Sequence, residues 1–257
     1  MLFNSYSFIL LFLPATLSGY FLLARRAHWL AAGWLAAASL FFYALWSPLH
    51  ALLLLGSICA NFAFGVRLAS LQASGEDRRA NRLLAMAIAG NLLLLCYYKY
   101  TNFFLASIGT LTGAAFRVAE IALPLGISFF TFTQIAFLAD ARRGKAREFS
   151  FIHYCLFVTY FPHLIAGPIL HHGEMMPQFR DRAAYHLKWE NLAVGLTLFL
   201  IGLFKKTGIA DNVADFARPA FDAAGAGSVL NPLDAWIAAF AYTLQIYFDF
   251  SGFLIWR

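Results

Sequence analysis

Charge is what this sequence has little of. Of its 257 residues only 12% are Asp, Glu, Lys or Arg, while 61% are hydrophobic. A soluble domain of this length buries its core with far less apolar content, so a water-soluble globular protein is excluded. Cysteine is scarce as well. Cys59, Cys96 and Cys155 stand singly inside apolar runs, an odd count without metal-type spacing. That excludes a disulfide framework and a cysteine metal centre, and leaves the three as small buried hydrophobes. No serine sits in a Gly-x-Ser-x-Gly context, so a serine hydrolase has no support. The histidines and carboxylates show no metal-ligand spacing, and no metal site is expected.

What is present comes in blocks. Apolar runs alternate with short basic or Gly/Pro segments, the pattern of several transmembrane helices. The 28 Phe, 11 Tyr and 6 Trp suit lipid-facing surfaces and interfacial belts. The net charge of +6 resides mostly in the short connecting loops. Arg25, Arg26, Arg67, Arg78, Arg79 and Arg82 therefore read as topology determinants, with attraction to anionic headgroups second, and no nucleic acid is implied. The first charge follows the first apolar run, which predicts a retained span with its N-terminus outside and Arg25-Arg26 in the cytoplasm.

The predicted spans are Tyr6–Ala24, kinked at Pro14, then Trp29–Trp46, Leu49–Val66 and Leu83–Tyr98. Arg67–Arg82 is predicted to be a cytoplasmic loop, and Tyr97, Tyr98, Lys99 and Tyr100 to close the fourth span at the interface. Thr101–Glu120 reads as interfacial or re-entrant. Ile121–Ala139 spans next, followed by cytoplasmic Arg142, Arg143, Lys145 and Arg147. Phe151–Leu170 is apolar yet broken, because Pro162 and Pro168 lack N–H donors and Gly167 loosens the backbone between them. Such a break survives in a bilayer only when sheltered by protein or facing a wet cavity. His171–Glu190 is polar, Leu192–Phe204 is a short span ending at Lys205-Lys206, Asp211–Val229 is polar, and Leu233–Phe250 is the last apolar helix. After Phe151 the charge rule is divided. A full span puts Arg180, Arg182 and Lys188 outside, whereas a re-entrant loop puts Lys205-Lys206 there.

Four segments together resemble the membrane-bound O-acyltransferase (MBOAT) family in its bacterial branch. They are Tyr97-Tyr-Lys-Tyr-Thr-Asn-Phe-Phe104; Leu123-Pro-Leu-Gly-Ile-Ser-Phe-Phe-Thr-Phe132 with Asp140 and Arg143-Gly144; Tyr160-Phe-Pro-His-Leu-Ile-Ala-Gly-Pro-Ile169 with Gln178-Phe179; and Gln245-Ile-Tyr-Phe-Asp-Phe-Ser-Gly252. Their order and spacing extend the resemblance over nearly the whole chain.

The resemblance implies an all-α, polytopic inner-membrane protein, a helical bundle with re-entrant segments around a funnel. It implies acyl transfer from a cytoplasmic donor, acetyl-CoA or an acyl-carrier thioester. The acceptor would be an exported, alginate-like polysaccharide or a periplasmic acyl-relay protein. No cofactor is expected to be bound. The family's catalytic His stands in a later Trp-His motif that none of the seven His residues here matches, so no catalytic residue is assigned in this chain. In the family, the fourth segment continues aromatic-Ser-Asp-Met-Ala-Ile-Gly, whereas here it continues Phe253-Leu-Ile-Trp-Arg257. Dropping one T from TTT TCT GAT ATG GCG ATA GGC yields Phe-Leu-Ile-Trp-Arg-stop. The expectation is therefore a C-terminally truncated, inactive N-terminal portion of a single domain from a frameshifted gene. Resequencing the locus for a downstream frame carrying the Trp-His motif tests it.

The candidate funnel-lining or bracing residues are His163, Ser128, Gln245 and Asp249. His163 either satisfies carbonyls freed by the break or lines the funnel. Asp249 is a carboxylate in an apolar helix, a functional hint by default, and bracing of a neighbouring helix ranks above catalysis. Gln245 lies one turn before it on the same face. Ser128, Thr131, Thr133 and Gln134 form a polar stripe, for interhelical hydrogen bonds or for the acyl path. Glu174 and Asp181 read as solvated. A transporter or a purely structural membrane subunit is the alternative class.

Overall fold

The computed structural model describes residues 3–112, 121–146, 149–164 and 172–255. The side chains of His163, His172 and Glu174, together with Gly167, Pro168, His171 and Arg147, lie outside the described residues. Among the described residues no strand occurs. The helices are α1 (Leu13–Ala24), α2 (His28–Ala44), α3 (Pro48–Ala73), α4 (Asp77–Thr112), α5 (Ile127–Arg142), α6 (Phe151–Thr159), α7 (Phe161–Leu164), α8 (His172–Arg180), α9 (Trp189–Leu203), α10 (Asp211–Gly225) and α11 (Pro232–Ile255). π-Turns precede α1 at Phe8–Phe12 and join α9 to α10 at Phe204–Ala210. The first of these sits where Pro14 cannot donate, so the proline enters as the second residue of α1 after a widened turn.

Four helices are long and apolar enough to cross a membrane: Pro48–Ala73, Asp77–Thr112, Trp189–Gly225 and Pro232–Ile255. Two of them correct the predicted loops. Arg67–Arg82 is no loop. α3 runs to Ala73 and α4 starts at Asp77, so only three residues turn the chain. Gly75, at φ 72°, lets Glu76 N–H reach the Leu71 carbonyl and close the helix end. The charged flanks are good helix formers, and charge marks where a helix leaves hydrocarbon rather than where it stops. Likewise α4 does not close at Tyr97–Tyr100 but continues to Thr112, about 54 Å at roughly 1.5 Å per residue. The hydroxyls of Thr101, Ser107 and Thr112 donate to carbonyls of the preceding turn, which lets polar residues continue an apolar helix. Of the predicted interfacial segment, residues 101–112 are thus helix, and 113–120 lie outside the described residues.

The third correction concerns Lys205-Lys206. The helix does not end there but runs through the π-turn as 37 residues, Trp189–Gly225. Most of the segment read as polar, Asp211–Val229, is the helix α10.

Contacts divide the chain into two compact units. One comprises residues 18–165 and 169–185, the other residues 1–17, 166–168 and 186–257. In the first, α2 to α6 pack around Phe137, Leu138, Tyr154, Phe157, Leu54 and Ile58, all within 1% of full burial. Phe137 lies 4.4 Å from the Tyr154 ring and 6.1 Å from that of Phe149. In the second, α11 packs along α9, the π-turn and α10, and Phe221 meets Tyr242 at 5.2 Å.

Candidate functional site

The break predicted in Phe151–Leu170 falls at Tyr160, whose backbone leaves the helix at φ −49°, ψ 107°. Continuing α6 would need an N–H at residue 162 and would press the Pro162 ring onto the carbonyl four residues back. Instead Tyr160 N–H closes α6 on Leu156 O, and α7 begins with Pro162 in its first turn, where a missing donor does no harm. α8 packs against α6. Phe179 of α8 lies 6.2 Å from His153 and 6.4 Å from Tyr160, at opposite ends of α6. The following turn is tied down by Tyr20, which stacks on Tyr185 at 5.6 Å and donates to Ala184 O. Asp181 is exposed and accepts from Ala183 N–H, as a solvated turn residue does.

Against α7 sits the turn Pro124-Leu-Gly126, which opens α5. Gly126 has φ 69°, and a Cβ there would meet Leu164 O at 2.5 Å. Tyr43 of α2 donates to Leu125 O at 2.7 Å and ties the turn to α2. The Leu-Pro-Leu-Gly and Phe-Pro-His-Leu segments are therefore in backbone contact at Gly126 and Leu164, 38 residues apart in sequence. His163 belongs to α7 at this junction, and Ser128 is the second residue of α5, half-buried.

The polar stripe of α5 leads into a network that only partly follows the predicted list. Gln134, fully buried, donates to Ser57 Oγ at 3.0 Å and accepts from Tyr154 Oη at 3.3 Å. Asn61 donates to the same Ser57 oxygen at 3.3 Å and exchanges hydrogen bonds with Asn91 at 3.1 and 2.6 Å. Four helices, α3 to α6, are thus joined by one chain of side-chain hydrogen bonds. Thr131 and Thr133 are buried beside it. A cleft of about 400 Å³ opens between α3 and α4, with Ser57, Asn61 and Asn91 among its walls and Gly56 and Gly90 leaving it open. Sequence reading missed Asn61 and Asn91, although an amide inside an apolar span is a signal of an interhelical bond. Gln134→Leu strips the acceptor from Tyr154 and the donor from Ser57. It is expected to destabilise the protein by about 1–3 kcal/mol, read as a lowered unfolding midpoint in detergent.

The second unit holds Asp249 and Gln245. Asp249 is paired with Lys206, where hydropathy alone predicts a span to end. Lys206 Nζ lies 2.7 Å from Asp211 Oδ1 and 2.9 Å from Asp249 Oδ1. The side chains of Lys206 and Asp249 are 22% and 26% exposed, so the pair is largely out of water. Asp249 Oδ1 is itself shielded and lies off the angle of a hydrogen bond, so charge attraction makes the contact. Three residues on, Gly252 meets the long helix, with the Gly202 carbonyl 3.0 Å from where a Cβ would stand. Gln245 shares this face of α11, half-buried, with no side-chain hydrogen bond among the described residues. Among the described residues there is also no cluster of three metal-ligating side chains.

These segments belong to a recognisable lineage. Residues 79–256 match the sequence profile described as MBOAT, membrane-bound O-acyltransferase family. A peptidoglycan O-acetyltransferase of Helicobacter pylori is 41% identical over 280 residues, covering 98% of this chain and 52% of that protein. A probable alginate O-acetylase AlgI of Pseudomonas aeruginosa is 38% identical, covering 98% of this chain and 47% of the relative. The corresponding protein of Azotobacter vinelandii is 36% identical, with 98% and 49% covered. The chain spans about half the length of these curated relatives. With the profile matching more than half of its residues, the chain belongs to the membrane-bound O-acyltransferase family.

Proposed function

We propose that this chain forms the N-terminal part of a multi-pass inner-membrane O-acyltransferase that acetylates hydroxyls of an exported polysaccharide. Similarity to proteins named O-acetyltransferases along 98% of the chain carries this reading. The junction of Gly126 with Leu164 adds a sheltered place where two motif segments meet.

The reaction joins an acceptor hydroxyl oxygen to the acyl carbon of a thioester while the carbon–sulfur bond breaks and the thiol leaves. It needs a base for the hydroxyl proton and donors for the developing oxyanion. By family resemblance the base is a histidine of a Trp-His motif, so none of His163, Ser128, Gln245 or Asp249 is assigned that role. Their proposed part is to shape the path around it. Arg180 and Arg182 follow α8, and the positive-inside pattern favours the cytoplasm for them. By family resemblance the donor would be acetyl-CoA or an acyl-carrier thioester arriving from the cytoplasm. The acceptor would be peptidoglycan or an alginate-like polymer, as for the relatives, reached directly or through a periplasmic relay protein.

The test is transfer of labelled acetyl from acetyl-CoA in membranes containing this sequence extended to the length of its relatives. Label on peptidoglycan or on alginate, removable by mild base as an ester, supports the reading and names the acceptor. Movement of a solute without any acyl transfer would replace it by a transporter.

A further inference from the structure

The π-turn at Phe204–Ala210 has a consequence for Lys206. In an α-helix, residues five apart point about 140° away from each other. In a π-turn the bond runs from i+5 to i, and here Asp211 N–H donates to Lys206 O. Asp211 therefore stacks one widened turn above Lys206, on the same face, and its carboxylate reaches the ammonium. Asn212 satisfies carbonyls of the turn, donating its side-chain amide to Thr207 O and Gly208 O at 3.1 and 2.9 Å. The same face meets α11, where Asp249 supplies the second carboxylate. One turn away, Gly202 and Gly252 let the two backbones close up.

We infer that the π-turn, Lys206 and Asp249 form a register lock between the long helix Trp189–Gly225 and α11. The widened turn aims the ammonium at α11, and the close approach of Gly202 and Gly252 leaves one setting in which Asp249 comes within ion-pair distance of it. Buried ion pairs contribute little net stability against apolar packing, and fixing one setting among several is their best-attested use. Asp211 then serves a different purpose: it balances Lys206 within its own helix, and Asp249 is the residue that reads register.

This inference does not rest on acyl transfer, and its test needs no turnover. The full chain, with Cys59, Cys96 and Cys155 replaced by alanine, receives cysteines at Phe221 and Tyr242, whose rings face each other across α10 and α11. The rate of disulfide formation in membranes reports the setting of the two helices. Asp249→Asn leaves Lys206 neutralised by Asp211, so a role in charge balance alone predicts an unchanged rate. The lock predicts at least a tenfold slower rate. Lys206→Met leaves two carboxylates without a cation and slows it further. Deleting Thr207 keeps every charge but returns the turn to α-geometry, and it is expected to slow cross-linking as much as Asp249→Asn. If the deletion variant does not accumulate, the two substitutions decide alone. A parental rate in Asp249→Asn overturns the lock.

Discussion

Replacing Gly126 by alanine is expected to deplete the folded protein. Two independent penalties meet at this position. The backbone is left-handed, at φ 69°, where an L side chain costs about 1–2 kcal/mol. The added Cβ would also stand 2.5 Å from Leu164 O, a backbone atom that cannot rotate away. Overpacking of this kind adds about 1–3 kcal/mol. The turn is also held at its neighbouring residue, where Tyr43 donates to Leu125 O. A sum of about 2–5 kcal/mol is comparable with the whole stability of many domains. The measurement is the monodisperse fraction of detergent-extracted protein on a thermal ramp. Parental behaviour in Gly126→Ala would mean that the turn and α7 are not in contact. Tyr43→Phe is expected to produce a milder loss, since it removes one hydrogen bond and keeps the packing.

Gly65→Val should have an effect of similar size in the core. A Cβ at residue 65 would stand 2.4 Å from the Phe137 ring where α3 crosses α5. Phe137 is fully buried and wedged between Tyr154 and Phe149, so the ring cannot swing clear and the two helices must separate. Loss of several kcal/mol follows from overpacking an occupied site. Gly56→Ala and Gly90→Ala are the matched controls. Both glycines belong to α3 or α4, and a Cβ at either meets nothing within 4 Å. These two are expected to be neutral or to raise stability by about 0.5–1 kcal/mol through helix propensity. Equal destabilisation at residues 56, 65 and 90 would contradict the packing of α3 described above.

The two glycine tests mark the boundary of what the sequence shows. Apolar blocks and the scarcity of charge identify a helical membrane protein, because lipid leaves the backbone few other ways to satisfy its hydrogen bonds. Pro162 announces a break for a reason local to its own ring, and the chain turns two residues before it. Asp249 announces itself as a charge in an apolar helix. Helix ends were legible only in part. The charged segment 67–82 reads as a loop by hydropathy, yet it is helix on both sides of Gly75, since hydropathy follows solvent and not hydrogen bonding. Lys205-Lys206 reads as the end of a span for the same reason, and the π-turn carries the helix through it.

What the amino-acid order determined by itself is the class of molecule and its lineage: apolar helices, proline breaks and motif segments, all consequences of forces acting within a few residues. Tertiary structure alone decided which polar groups meet. Ser57 and Gln134 are 77 residues apart, and Lys206 and Asp249 join different helices. No periodicity encodes such partners. They are selected when buried polar atoms, denied water, must each find the complementary group that packing brings within about 3 Å.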